Sequence, residues 1–429
     1  MTHTPSAPHS VAPGHISVPV TPDALPALRR RVQAGLIATQ ILGGLGIAIG
    51  FALAAVLARD VSGTEALSGL ASTASVAGSA LVAVPLATLM TRRGRRAGLV
   101  LAYLLAAVGA GVVVLGAVLG NFPLLLAGLV GFGAGSSANL AARFAAADLA
   151  EPDRRARAIS TVVWATTIGA VLGPNVAAPA GKSVSGLGIP AAAGPFVWAA
   201  GVFVLAAAVV AVLLRPDPLL TARALDAGAG GAPEGRSLRA GMEAVRRSPR
   251  ARIALVTIAG AHTAMVSIMS MTPVALTHHG AGIQLVGLVI SGHITGMYAF
   301  SPLMGWLSDR LGRLAVIGLA VGLIGTAALV AGTAGASHGR TALGLFILGL
   351  GWSAALVSGS ALLTDSVPQA ARAAVQGLSD FVMNTAAGLG GLAAGLIVAK
   401  AGYGPLNAIA ACLLLPMAAL ALRGAVRKA

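Results

Sequence analysis

The sequence predicts an all-α membrane protein in which twelve transmembrane helices form two six-helix bundles. Three observations carry this expectation. The chain of 429 residues is 56% hydrophobic and only 10% charged, with a mean hydropathy of +0.87. A soluble domain carries roughly 25% charged residues, and this much apolar surface cannot be hidden in a water-facing globule. Apolar runs of about twenty residues, the length a bilayer crossing needs, recur along the chain. Two stretches of the first half also return in the second at nearly one spacing.

Taken in order, residues 1–28 are rich in Pro, Ser and His and lack the apolar core of a signal peptide. They read as a disordered cytosolic tail, and His3, His9 and His15 read as part of that tail rather than as a metal collector. Apolar runs then fall at 33–58, 66–90, 97–119, 122–145, 158–180 and 193–214, an N-terminal bundle spanning 29–214. Residues 215–250 are a cytosolic connection, with flexible "DAGAGGAPEG" followed by "RSLRAGMEAVRRSPR", which suits a basic helix on the membrane surface. Runs at 251–275, 282–306, 314–334, 341–364, 372–398 and 403–423 make a C-terminal bundle over 251–429.

Charge sets the orientation. With both termini in the cytoplasm, only Arg59, Lys182, Arg340 and Lys400 of the 29 Lys and Arg residues face outward. The formal net charge of +16 then meets the anionic inner leaflet of the cytoplasmic membrane and needs no nucleic acid. The single Cys412 cannot form an intrachain disulfide and reads as a small buried hydrophobe. With no nucleotide-binding loop or catalytic constellation in view, the expectation is a carrier rather than an enzyme. It would have no cofactor, membrane lipid and a small-molecule or metal-ion substrate as partners, and act as a monomer.

The repeat is specific. "ATLMTRRGRR" (Ala87–Arg96) matches "GWLSDRLGRL" (Gly305–Leu314), and "ADLAEPDRRARAIS" (Ala147–Ser160) matches "TDSVPQAARAAVQG" (Thr364–Gly377), at offsets of 218 and 217. Such spacing implies two bundles related by duplication. Gly305 allows close helix contact, Asp309 can cap or pair at a helix end, and Arg310 and Arg313 can bond carbonyls of neighbouring helix ends. "GWLSDRLGR" resembles the signature of the major facilitator superfamily, and the resemblance covers the whole chain. It implies the major facilitator fold, and a loop that latches the two bundles in the outward-facing state. The first copy departs from the pattern, with Thr91 where Asp is usual. "GAVLGPN" (Gly169–Asn175) is similar in part to the Gly-Pro motif of proton-driven exporters of that superfamily, though a plain kink explains it as well.

Among the thirteen acids, Asp380 alone lies well inside a run. A charge there costs roughly 2.5–3.5 kcal/mol on insertion scales, so it requires a partner or a proton. It is either a proton-coupling site or one half of a fixed ion pair near the cytosolic exit, with Arg143 as a candidate partner. Gln40, Asn139, Asn175 and Asn384 are expected to bond between helices or line a cavity.

Half of the ten methionines and half of the eight histidines fall within 262–304. On a helix, His262, Met265 and Met269 share one face of span seven, and His293, Met297 and Met304 one face of span eight. If consecutive spans lie side by side, Met265 and His293 meet at ~15 Å depth and His262 and Met297 at ~20 Å, with His278 and His279 at the outer mouth. Thioether and neutral imidazole form a soft, uncharged set suited to Cu(I); the alternative is ordinary methionine filling. The spacings Met265–Met269 and His293–Met297 resemble the metal motifs of the copper-importing CcoA-like branch of the superfamily. That resemblance implies copper binding at those four residues, with His262, His278 and His279 as accessory candidates from geometry alone. The favoured reading is copper import. The competing one is a proton-coupled exporter of small hydrophobic drugs or metabolites that uses Asp380.

Overall fold

The computed structural model describes residues 22–64, 67, 70–228 and 238–414, and among these every regular element is a helix. In a bilayer this is the expected solution, because each backbone N–H and C=O must be satisfied within its own segment. The first half contains α1 (Leu25–Ser62), α2 (Leu70–Val118), α3 (Phe122–Phe132), α4 (Ala134–Asp148), α5 (Arg155–Ser183) and α6 (Gly194–Leu213). Two short helices follow, α7 (Pro218–Gly228) and α8 (Leu238–Arg247). The second half contains α9 (Pro249–His278), α10 (Ile283–Tyr298), α11 (Ser301–Leu311), α12 (Arg313–Gly332), α13 (His338–Asp365), α14 (Arg372–Ala401) and α15 (Tyr403–Cys412).

Helix count and span count differ for local reasons. Ten helical stretches among the described residues are long and apolar enough to cross a membrane. The 49-residue α2 turns back at Gly94 (φ 86°), so it holds spans two and three. The equivalent turn after α11 is at Gly312 (φ 93°). Both angles lie where only glycine is unstrained. The pairs α3–α4 and α10–α11 each form one span, and α15 begins the twelfth.

Three helix starts carry a side-chain cap. The Asn121 side chain accepts from Leu124 N (2.9 Å), Ser248 from Ala251 N (3.2 Å) and Ser337 from Arg340 N (3.4 Å). α1 begins earlier than expected: the tail was expected to run to residue 28, yet Leu28 is already helical and buried. His3, His9 and His15 lie outside the described residues, as does most of "DAGAGGAPEG". Cys412, expected to be buried, is exposed.

Each half has its own apolar core, and the two cores interleave where α4 and α5 meet the second half. Across the boundary α2 packs on α14 and α5 on α11. Within the second half, α9 packs on α14 and α13, while α10 packs mainly on α13. Spans seven and eight are therefore not principal neighbours: α13 takes the place that the sequence reading gave each to the other.

Candidate translocation site

The polar links between the bundles lie toward one face, the one bearing the arginine-rich loops. At that basic face the Asp309 carboxylate accepts from Ala156 N (3.1 Å) and Arg157 N (2.9 Å), the opening turn of α5. A carboxylate is favoured there by exposed N–H groups and the helix dipole. Arg313 holds Asp309 from behind at 2.6 Å and also donates to Pro152 O at 2.7 Å. Asp365 joins the group through Arg155 (2.6 Å) and Arg313 (3.2 Å). Gly305 lies against Ser160 and Ala156 O of α5, where a side chain would collide. Asp309, Arg313 and Gly305 thus meet at the contact of α11 with the start of α5. Arg310, expected to bond a carbonyl of a neighbouring helix end, makes no such bond among the described residues and lies over the Trp306 ring at 5.1 Å.

The first-half counterpart is more deeply buried. Arg95 donates to Asp148 at 2.7 and 3.2 Å, with both side chains 1% exposed, and it also reaches Gln376 of α14 across the boundary. Asp148 sits at the end of its span, so composition alone did not single it out.

Deeper in, Arg143 of α4 donates to Asp380 of α14 at 2.7 Å and to Ser360 of α13 at 3.1 Å. Of the two readings of Asp380, the geometry presents the ion pair, and it joins the bundles. Arg143 Nη1 is buried without a hydrogen-bond acceptor among the described residues. About two turns further along lies a set of rings from three helices. Trp352 Nε1 of α13 donates to His262 Nδ1 of α9 at 2.9 Å, and Tyr298 of α10 meets Trp352 edge-on at 5.6 Å. His262 and Tyr298 are partly exposed. As an acceptor, His262 Nδ1 fixes the neutral ring with its proton on Nε2.

The remaining polar groups bond mainly within bundles. Gln40 Nε2 donates to Thr166 Oγ1 (2.8 Å), linking α1 and α5, and Tyr103 donates to Asn139 Oδ1 (2.9 Å), linking α2 and α4. Asn384 Nδ2 donates to Asp380 O within α14 (2.7 Å). Asn175, expected to be buried, is exposed and donates to Val171 O of its own helix (2.7 Å). That helix, α5, runs unbroken through the Gly-Pro motif.

The sulfur and imidazole donors are distributed differently from the expected ladder. Met265, Met297 and Met304 belong to the apolar core of the second bundle, and Met269 packs at its margin. His293 is fully buried, with Nδ1 2.7 Å from Leu345 O of α13. His262 is anchored to Trp352, seven residues or about 10 Å further along α13. Each imidazole thus spends one nitrogen on α13, at positions about two turns apart, rather than on the neighbouring span's donors. His278 is exposed at the end of α9 and His279 caps that helix, its carbonyl accepting from His338 Nε2 (3.2 Å). Among the described residues, no group of three or more His, Cys, Asp or Glu side chains is arranged to hold a metal. Sequence reasoning missed Trp352 and Tyr298, whose signal lies only in their depth.

Two bundles around a shared polar centre define a membrane carrier. Residues 36–284 and 255–428 match the family model of the Major Facilitator Superfamily. The chain belongs to that superfamily: it is a multi-pass membrane transporter, not an enzyme. It is 37% identical over 390 residues to the uncharacterized MFS-type transporter YdeG of Bacillus subtilis, covering 91% of this chain and 90% of that protein. It is 29% identical over 398 residues to the riboflavin transporter RfnT of Brucella anthropi, covering 92% and 95%. Its fold matches the human organic anion transporter MFSD10 (TM-score 0.69, 17% identity, 92% of this chain and 99% of that one). It also matches FucP in the outward conformation (TM-score 0.68, 17% identity, 91% and 97%).

Proposed function

We propose that this transporter moves a small organic solute bearing a planar ring and an acceptor group, by alternating access around the centre formed by Arg143, Asp380, His262, Tyr298 and Trp352. The observation that carries this reading is the buried Arg143–Asp380 pair joining the two bundles, with one guanidinium nitrogen lacking an acceptor among the described residues and a set of rings about two turns away along α13. Removing one partner of a buried pair costs about 3–5 kcal/mol, so the bundles separate there only when something replaces the partner. A solute acceptor that takes Arg143 releases Asp380, and a carboxylate left buried without its cation takes up a proton. Solute binding and proton binding are then coupled through one arginine. The ring wall suits flat solutes, and the riboflavin transporter among the relatives supports the same class. The basic face is cytoplasmic, with both termini on that side of the cytoplasmic membrane, and one chain suffices for transport.

Copper import through Met265, Met269, His293 and Met297 is the second reading. One observation favours it: His293 Nε2 is buried without a hydrogen-bond partner among the described residues, which leaves one nitrogen for a soft ion. The organic reading ranks first because each imidazole already bonds a different residue of α13 and these thioethers pack in or against the apolar core.

Purified protein in nanodiscs separates the two. Flavins and other planar acids are expected to raise the thermal midpoint of the wild type and to lose that effect in Arg143→Gln and Trp352→Ala. Cu(I) stabilisation that is abolished by His293→Gln and untouched by Arg143→Gln would move copper to first place. If Arg143→Gln and Asp380→Asn proteoliposomes carry every wild-type substrate at the wild-type rate, the organic-solute site is wrong.

A further inference from the structure

We infer that Arg223, on the linker helix α7, does for the first half of the molecule what Asp309 does for the second: it ties the bundles together at the basic face. The inference is independent of the cargo. It begins from the departure at Thr91. The Thr91 hydroxyl donates back to Ala87 O of its own helix at 2.8 Å, so it offers nothing across the boundary. The helix end it would have capped is the start of α14, where Ala373 and Ala374 correspond to Ala156 and Arg157 by the repeat. The capping residue of α14, Ala371, supplies no side-chain cap, and among the described residues no side chain accepts from Ala373 or Ala374.

Arg223 spans this gap by the opposite chemistry. Its Nη1 donates to Thr91 O at 2.7 Å, and its Nη2 donates to Ala370 O at 3.0 Å. One carbonyl belongs to the first bundle and the other to the approach to α14, so a single planar fork holds both sides. Asp309 joins the halves by accepting from N–H groups, whereas Arg223 joins them by donating to carbonyls.

The fork is itself fixed in place. Asp217, just before α7, accepts from Arg96 N (2.7 Å), Leu219 N (3.0 Å) and Leu220 N (3.2 Å). Its carboxylate occupies the space that a side chain at Gly94 would fill. Leu219 and Ala222 are buried. α7 is therefore docked on the turn between spans two and three, and the start of the cytosolic connection is a strap. Opening the basic face must release Arg223 from Ala370.

The test uses full-length protein with Cys412→Ala and spin labels at Arg93→Cys and Leu311→Cys, exposed positions on the basic face of the two halves. The expected wild-type distance distribution is dominated by the short, closed population. Arg223→Gln is expected to raise the long-distance population several-fold, and adding Thr91→Asp to that variant is expected to restore the closed one, with Asp capping α14 as Asp309 caps α5. An unchanged distribution in Arg223→Gln overturns the inference. So does a long-distance population that Thr91→Asp leaves in place, since that pattern reports only loss of linker docking. Circular dichroism and thermal midpoints of each variant show whether the fold is retained.

Discussion

At 305–313, Asp309 reaches across to the first turn of α5; at 87–95, the equivalent Thr91 turns back to Ala87 and the crossing is made by Arg95 and Arg223. The apolar contact is the same on both sides. Gly305 rests on Ser160, and Ala87 rests on Gly377, the partner of Ser160 in the repeat. Duplication thus preserved the close helix approach while the polar links diverged. In each pair one member is glycine, so the backbones approach equally whichever helix supplies it. The second-half latch is drawn entirely from the ends of the spans it joins. The first-half latch needs a residue from the linker, which couples a connecting segment to the gate.

Burial sharpens the contrast and sets the order of expected effects. The Arg95–Asp148 pair is 1% exposed on both sides, whereas Arg313 and Asp365 are 12% and 26% exposed. Asp148→Asn leaves a guanidinium in the interior and is expected to cost about 3–5 kcal/mol, whereas Asp365→Asn costs about 1 kcal/mol. Thermal unfolding of the two variants in one detergent checks this, and equal midpoints would erase the distinction. Asp309→Ala removes a cap and a buried partner together and is expected to shift the closed–open equilibrium by about 2–3 kcal/mol, read as growth of the long-distance population between the labels. Gly305→Val and Gly377→Val probe the part that duplication kept. Each is expected to disfavour closure by about 1–3 kcal/mol through overpacking, and a large effect at only one of them would show that the two contacts are not equivalent. Smallest of all, Arg310→Ala loses an exposed ring contact worth about 0.5 kcal/mol and is expected to leave both the distance distribution and transport unchanged.

Much of the architecture was legible because it follows from solvation. Apolar runs, arginine placement and the repeat each report how the chain partitions between lipid and water, and none depends on which helices touch. Asp380 was legible for the same reason: a lone acid in an apolar run demands a partner, and Arg143 was a candidate by its place in the chain. The methionine and histidine ladder was not legible, because it assumed that consecutive spans are neighbours. His293 turns to Leu345 O and His262 to Trp352, so their level in the membrane was a poor guide to their company. Arg223 was hidden as well, since nothing in the composition of 215–250 distinguishes an arginine that braces two bundles from one that faces water.

The sequence by itself determined that this chain spans the membrane repeatedly, in two related halves with the basic loops on one side, because the cost of placing polar groups in hydrocarbon is paid residue by residue and can be read locally. Only the tertiary structure decided which charges meet, which rings share a level and which half-latch borrows from the linker. Those outcomes depend on distances of a few ångströms between helices far apart in the chain, and no local pattern encodes them.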